Sequence, residues 1–186
     1  MADGWLVVLS GPSGVGKTTI AKKLCARPGF VKVTTATTRP ARPNEVHGRD
    51  YLFLMREKFE EGIAKGEFLE HATIFGNLYG TPRKAVEESV AVGKRVVLDI
   101  DSQGARSVRG LGLRAVFVFI APPSLSELRR RLEGRKTEGD TSLKRRLEAA
   151  QAEIERSREY DVTVVNRTVD QTVQDIETEL KNRGIL

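Results

Sequence analysis

The chain has 186 residues, 39% of them hydrophobic and 30% charged, with a formal net charge of +6 at pH 7. That length and balance describe a single globular domain able to bury a core, and they exclude a disordered or low-complexity chain. No apolar run approaches the roughly 20 residues that span a bilayer, and the first residues lack the basic segment and cleavage site of an export signal. The lone Cys25 cannot form an internal disulfide, and no Cys/His cluster has metal-ligand spacing. A cytoplasmic protein without membrane contact is expected. The basic residues are interleaved with acids, and three Tyr and one Trp leave few rings to stack on bases. The surplus charge therefore suits small polyanionic ligands better than nucleic acid.

Along the chain, Trp5–Ser10 is an apolar strand that runs into a glycine-rich loop, and Thr19–Ala26 has a helical pattern. Val31–Thr35 is a second strand. The rhythm then breaks: Ala36–Ile74 holds turn residues and short alternating pieces, Tyr51–Leu54 and Phe68–Ile74, around a helix-like Arg56–Lys65. Thr81 and Pro82 read as the cap and first residue of a helix over Arg83–Val92. Arg95–Ile100 and Ala115–Ala121 are strands apolar on both faces, as in a covered parallel sheet. Ser124 and Glu127 form a capping box ahead of a stripe of Leu125, Leu128 and Leu132. The polar Gly134–Thr141 has the composition of a mobile lid, and Leu143, Leu147, Ala150 and Ile154 form the next stripe. Val162–Val165 is the last strand, Thr168 opens the last helix and Gly184 ends it. The alternation predicts an α/β fold with a doubly wound parallel sheet, a small α+β insertion and a helical lid. Its core is expected at 1–35, 82–125 and 160–186, with the insertion at about 36–81 and the lid region at about 126–159.

Gly11-Pro12-Ser13-Gly14-Val15-Gly16-Lys17-Thr18 matches the phosphate-loop pattern G-x-x-x-x-G-K-[ST] in full. Its glycines let successive N–H groups turn toward phosphate oxygens, and the helix behind adds partial positive charge. Lys17 can reach the β- and γ-phosphates, and the Thr18 hydroxyl can ligate Mg²⁺. A glycine-rich turn could match by chance, but here strand and helix stand on the two sides the motif requires. Asp99 and Asp101 end an apolar strand, where a metal-associated acid belongs beside such a loop. Arg39 and Arg42, stiffened by Pro40 and Pro43, would make a second phosphate site with Tyr51. Tyr79 and Thr81 add a phenol and a hydroxyl.

These motifs, with Gly48-Arg-Asp-Tyr51, Phe68-Leu-Glu70, Asp99-Ile-Asp101-x-Gln-Gly104 and Arg131-Leu-Glu-Gly-Arg135, stand in the order and spacing of the guanylate kinases. The resemblance runs from about Trp5 to the last helix. It implies a P-loop NTPase-type fold whose insertion binds GMP, with ATP as phosphoryl donor and Mg²⁺ at Thr18 and Asp99. Glu70, Asp101 and Thr81 would read guanine with Thr35, which stands where the family often has Ser. Arg39, Arg42, Tyr51 and Tyr79 would hold the GMP phosphate. Lys17, Arg39, Arg135 and Arg146 would be catalytic. The phosphate loop with Thr19, Arg131 and Asn166 would take ATP, although Arg167 and Thr168 depart from the acidic or amide residues usual after Asn166. The expected activity is phosphorylation of GMP, and of dGMP, by a monomer or homodimer. The alternatives are another small-molecule kinase, which should lack the Glu70, Thr81 and Asp101 set, or a non-catalytic interaction module, which typically has a damaged loop.

Overall fold

The computed structural model describes residues 4–74, 76–133 and 140–186, without the side chains of 140–142. The elements in chain order are β1 (Trp5–Ser10), α1 (Lys17–Leu24), β2 (Phe30–Lys32), β3 (Ala36–Thr37), β4 (Leu52–Phe53), α2 (Arg56–Ala64), β5 (Phe68–Ile74) and β6 (Asn77–Pro82). There follow α3 (Arg83–Ala91), β7 (Arg95–Asp99), α4 (Ser102–Gly110), β8 (Ala115–Ala121), α5 (Leu125–Glu133), α6 (Asp140–Glu155), β9 (Val162–Val165) and α7 (Val169–Asn182).

Five strands form a parallel sheet in the order β2-β7-β1-β8-β9. Central β1 alternates its side chains between the two faces. Val7 and Leu9 are buried with Ile20 and Leu24 of α1, Leu128 of α5 and Val173, Ile176 and Leu180 of α7. Leu6 and Val8 are buried on the opposite side with Val86 of α3 and Ala105 and Val108 of α4. Two apolar faces need two helical layers, which is why these strands read as continuous hydrophobic runs.

A second sheet, β4-β3-β6-β5, is built from the insertion. Its small core is Ala36, Phe59, Phe68 and Leu78, with the Phe59 and Phe68 rings stacked at 4.3 Å. Gly80 lies against that pair, and a Cβ there would come within 2.9 Å of both rings.

Several local expectations need correction. The helix after the phosphate loop starts at Lys17, two residues early, because Gly16 adopts a left-handed conformation (φ 103°) and serves as its N-cap. β2 stops at Lys32, and Val33-Thr34-Thr35 leave the sheet toward the insertion. Tyr79–Pro82 belong to a strand. The hydroxyl of Thr81 is committed to Glu70, and α3 begins at Arg83 with Pro82 as an N-cap that supplies no side-chain bond. Leu125 is 42% exposed, so the buried stripe of α5 reduces to Leu128 and Leu132. Ser124 does cap that helix, accepting from the Glu127 amide at 3.1 Å. Thr168 caps α7 by accepting from the Gln171 amide at 3.3 Å. Of Gly134–Thr141, expected as a lid, residues 134–139 lie outside the described residues, and Asp140 and Thr141 belong to the first turn of α6.

Candidate active site

The phosphate loop leaves the C-terminal end of β1 and enters α1, the position at which parallel α/β sheets bind ligands. Gly11, Gly14 and Gly16 have φ of 139°, 85° and 103°, values that side-chain-bearing residues rarely adopt. Lys17 Nζ donates to the carbonyls of Gly11 and Pro12, which ties the ammonium to the start of the loop. Thr18 Oγ1 donates to Asp99 Oδ2 at 2.7 Å. The parallel register of β1 and β7, with Leu9 beside Asp99, brings these two oxygens together.

A cavity of about 310 Å³ opens in front of this pair. The phosphate loop contributes Gly11, Ser13, Lys17 and Thr18, and β7 and its following turn contribute Asp99 and Asp101. Arg42, Tyr51, Glu70 and Tyr79 line it from the insertion, Thr35 from the segment leading into it, and Arg146 and Glu153 from α6. Residues expected at donor and acceptor therefore share one space.

Glu70 is 5% exposed and accepts from Thr81 Oγ1 at 2.6 Å, with Thr81 fully buried behind it. Burial pushes the Glu70 carboxyl up to about 7; the Thr81 bond opposes the shift and the nearby Asp101 charge adds to it. Gly104 makes the room, since a Cβ there would lie 2.6 Å from Glu70 Oε2. Asp101 is the N-cap of α4, its Oδ1 accepting from the Gly104 amide at 2.8 Å.

Arg39 is not part of the cavity wall. Its guanidinium forms two 2.8 Å bonds to the carboxylate of Glu45 and lies over the rings of Tyr51 and Phe53 at 5.5 and 5.8 Å. Glu45 also accepts from the Arg42 amide at 2.8 Å. Burial acts against it, yet the Arg42 N–H and the Arg39 charge hold the Glu45 carboxyl below its ordinary range. The Tyr51 and Tyr79 rings meet edge to face at 6.2 Å. Burial, reinforced by the Asp99 charge, pushes the Tyr51 phenol up to about 12, so it is a hydrogen-bond donor at neutral pH.

A second groove, of about 600 Å³, borders the same loop and is lined by Gly14, Gly16, Thr19, Arg131, Asn166 and Arg167, among others. Arg131 is held by Glu127 at 2.9 Å and reaches the carbonyls of Val15 (3.3 Å) and Asn166 (3.2 Å). Hydrogen bonds from Arg130 and Arg131 lower the Glu127 carboxyl to about 2. Asn166, expected at the adenine base, is 3% exposed and uses both ends of its amide within the protein. Arg135 lies outside the described residues.

Glu45 and Glu153 were not singled out from sequence, and Gly104 was named only as the end of a motif, with no role given. Gly104 carried a signal, three residues after a capping Asp. Glu153 follows Arg146 by seven positions on one helix, which places both on the same face. Nothing local marks Glu45.

Strand order, glycine loop and carboxylate-ended neighbouring strand define a phosphate-loop phosphotransferase. The guanylate kinase family model matches residues 4–183. A guanylate kinase of Rubrobacter xylanophilus is 51% identical over 167 residues, 89% of this chain and 87% of that protein. The human guanylate kinase is 44% identical over 179 residues, 94% of this chain and 91% of that protein. The crystal structure of guanylate kinase from Anaplasma phagocytophilum superposes with a TM-score of 0.81 at 38% identity, covering 98% of this chain and 87% of that one. The chain belongs to the guanylate kinase family.

Proposed function

We propose that the chain transfers the terminal phosphoryl group of ATP to GMP, and to dGMP, giving ADP and the nucleoside diphosphate. The observation that carries this reading is the single cavity in which Lys17 and Thr18 of the phosphate loop face Glu70, Tyr51 and Tyr79 of the insertion. Relatives with high coverage named guanylate kinase support it.

GMP brings its own nucleophile. An oxygen of its phosphate forms a bond to the γ-phosphorus while the bond from that phosphorus to the β–γ bridging oxygen breaks, and ADP leaves. No serine, cysteine or general base is required, so positioning and charge neutralisation carry the rate. Lys17 would bind the β- and γ-phosphates, and Arg146 and Arg135 the transferring group. Arg42, Tyr51 and Tyr79 would hold the acceptor phosphate. Arg39 would do so on exchanging Glu45 for a phosphate, whose oxygens would replace the two carboxylate oxygens that now accept from its Nη2. Ionised Glu70 can accept the adjacent N1–H and N2–H of guanine, with Asp101 beside it at the amino group. Thr81 would orient Glu70 or turn its proton to O6, and Thr35 would lie along the base. The ATP base would occupy the groove at Thr19 and Arg131.

Thr18 and Asp99 are the residues that would hold Mg²⁺. A hydroxyl and a carboxylate 2.7 Å apart are hard oxygen donors, and Mg²⁺ sites of this type take most other ligands from phosphates and water. Among the described residues no cluster of three or more His, Cys, Asp or Glu could hold a metal on protein ligands alone. Bound there, the ion neutralises charge on the β- and γ-phosphates.

The reading also places the enzyme in the cytoplasm, working on small nucleotides rather than nucleic acid or membrane. Lys17→Ala tests it: turnover should fall at least a hundredfold while the fold and GMP binding persist. Near-normal turnover would refute the assignment.

A further inference from the structure

We infer that Asn166 is a positioning residue of the phosphate loop: its amide fixes the Val15 peptide, and thereby the Gly16 N–H, whatever base the donor carries. The inference rests on the reading that the donor triphosphate occupies this loop.

Asn166 is itself anchored at the end of the parallel sheet, where its backbone N–H donates to Ala121 O at 2.9 Å. Its Nδ2 donates to Val15 O at 2.7 Å. Oδ1 accepts from Thr172 Oγ1 at 3.0 Å, a hydroxyl that shares its proton with the Thr168 carbonyl at 2.8 Å. The amide can face only this way, because the reverse orientation would set its oxygen against the Val15 carbonyl oxygen. Arg131 adds a second donor to that carbonyl at 3.3 Å. Both donors belong to segments far from the loop in sequence, α5 and the turn after β9, so the loop is clasped to the body of the domain.

Covalent geometry makes this clasp matter for phosphate. In a trans peptide the C=O of one residue and the N–H of the next point in opposite directions. Holding the Val15 carbonyl toward Asn166 therefore aims the Gly16 N–H away from Asn166. The following Lys17 opens α1, so that N–H stands at the helix entrance where loop donors collect anions. Glycine at position 16 would otherwise let this peptide rotate at little cost, since its backbone tolerates both signs of φ. The space confirms the fit: a Cβ on Gly16 would come within 2.7 Å of Asn166 Nδ2. With Nδ2 given to Val15 O, Oδ1 taken by Thr172 Oγ1 and the residue only 3% exposed, the amide is turned into the protein rather than toward a base in the groove that Asn166 borders.

The test is steady-state kinetics of Asn166→Asp with ATP and with UTP as donors, at saturating GMP. The substitution keeps shape but sets a carboxylate oxygen against the Val15 carbonyl. We expect kcat/KM to fall tenfold or more for both donors, by the same factor within threefold, with KM for GMP unchanged and a cooperative thermal transition retained. A loss confined to ATP would overturn the inference and make Asn166 a base reader. A folded variant with unchanged kinetics for both donors would also overturn it, reducing Asn166 to a packing role. Where Asn166→Asp fails to fold, Thr172→Val carries the test with the same outcomes, since Thr172 is fully buried. Failure here with Lys17→Ala still inactive would leave the phosphoryl-transfer reading intact.

Discussion

In its proposed role Glu70 faces opposed demands, since reading guanine would require a carboxylate where the surroundings favour a neutral acid. Its pKa of about 7, against a model-compound value of 4.5, sets two expectations. First, kcat/KM for GMP reports the free enzyme and should fall about tenfold per unit as pH drops below 7. The GMP phosphate takes up its own proton only nearer pH 6, and kcat/KM for ATP should lack the inflection at 7. Second, a raised carboxyl pKa contributes stability that is fully present below 4.5 and lost as pH rises through 7. Glu70→Gln cannot ionise, so its stability advantage in urea unfolding should grow across that window and level off on the order of 3 kcal/mol. Parallel pH profiles for the two proteins would contradict the burial argument. Gly104→Ala is the steric counterpart. Its methyl would fall 2.6 Å from Glu70 Oε2, so KM for GMP should rise at least tenfold while KM for ATP stays within twofold. Glu70 was legible because a family motif surrounds it. Glu45 was not, because its partner Arg39 is brought to it by the fold of a loop that carries no periodicity.

At the scale of elements, the strands of the main sheet were legible, whereas β6, α4 and the two-residue β3 were not. β6 contains Gly80 and Pro82, residues that ordinarily argue against a strand. The stacked rings of Phe59 and Phe68 fill the space a side chain at position 80 would need, so glycine there serves packing. Gly80→Ala should accordingly cost about 1–3 kcal/mol of overpacking and weaken GMP binding, both readable from a thermal melt and a GMP titration. Wild-type stability in that variant would contradict the tight contact. α4 was hidden by Gly104 and Gly110 and by a run of Ser and Arg, although Asp101 sat in place as its cap. The phosphate loop had a signature, and its helix still began two residues early because Gly16 could supply the left-handed cap.

For the whole molecule, fold class was legible because β1, β7 and β8 are apolar on both faces, which only a sheet covered twice satisfies. How the residues proposed for the acceptor meet the phosphate loop was not, since Thr35 comes from the segment that enters the insertion and Tyr51, Glu70 and Tyr79 from three places within it. The resemblance implied Arg39 as a phosphate ligand, and its pairing with Glu45 in the fold was not legible. A surplus of positive charge has a clear use here, because two polyanions must be brought to one cavity.

The central claim is that this cavity joins a phosphate donor to a guanine-bearing acceptor. A coupled assay of ADP formation with ATP against GMP, AMP, CMP and UMP tests it most directly. GMP should exceed each of the others in kcat/KM by at least a thousandfold, as expected when a buried guanine edge is replaced by one that leaves Glu70 unpaired. Comparable rates with AMP, or no transfer to GMP, would contradict it.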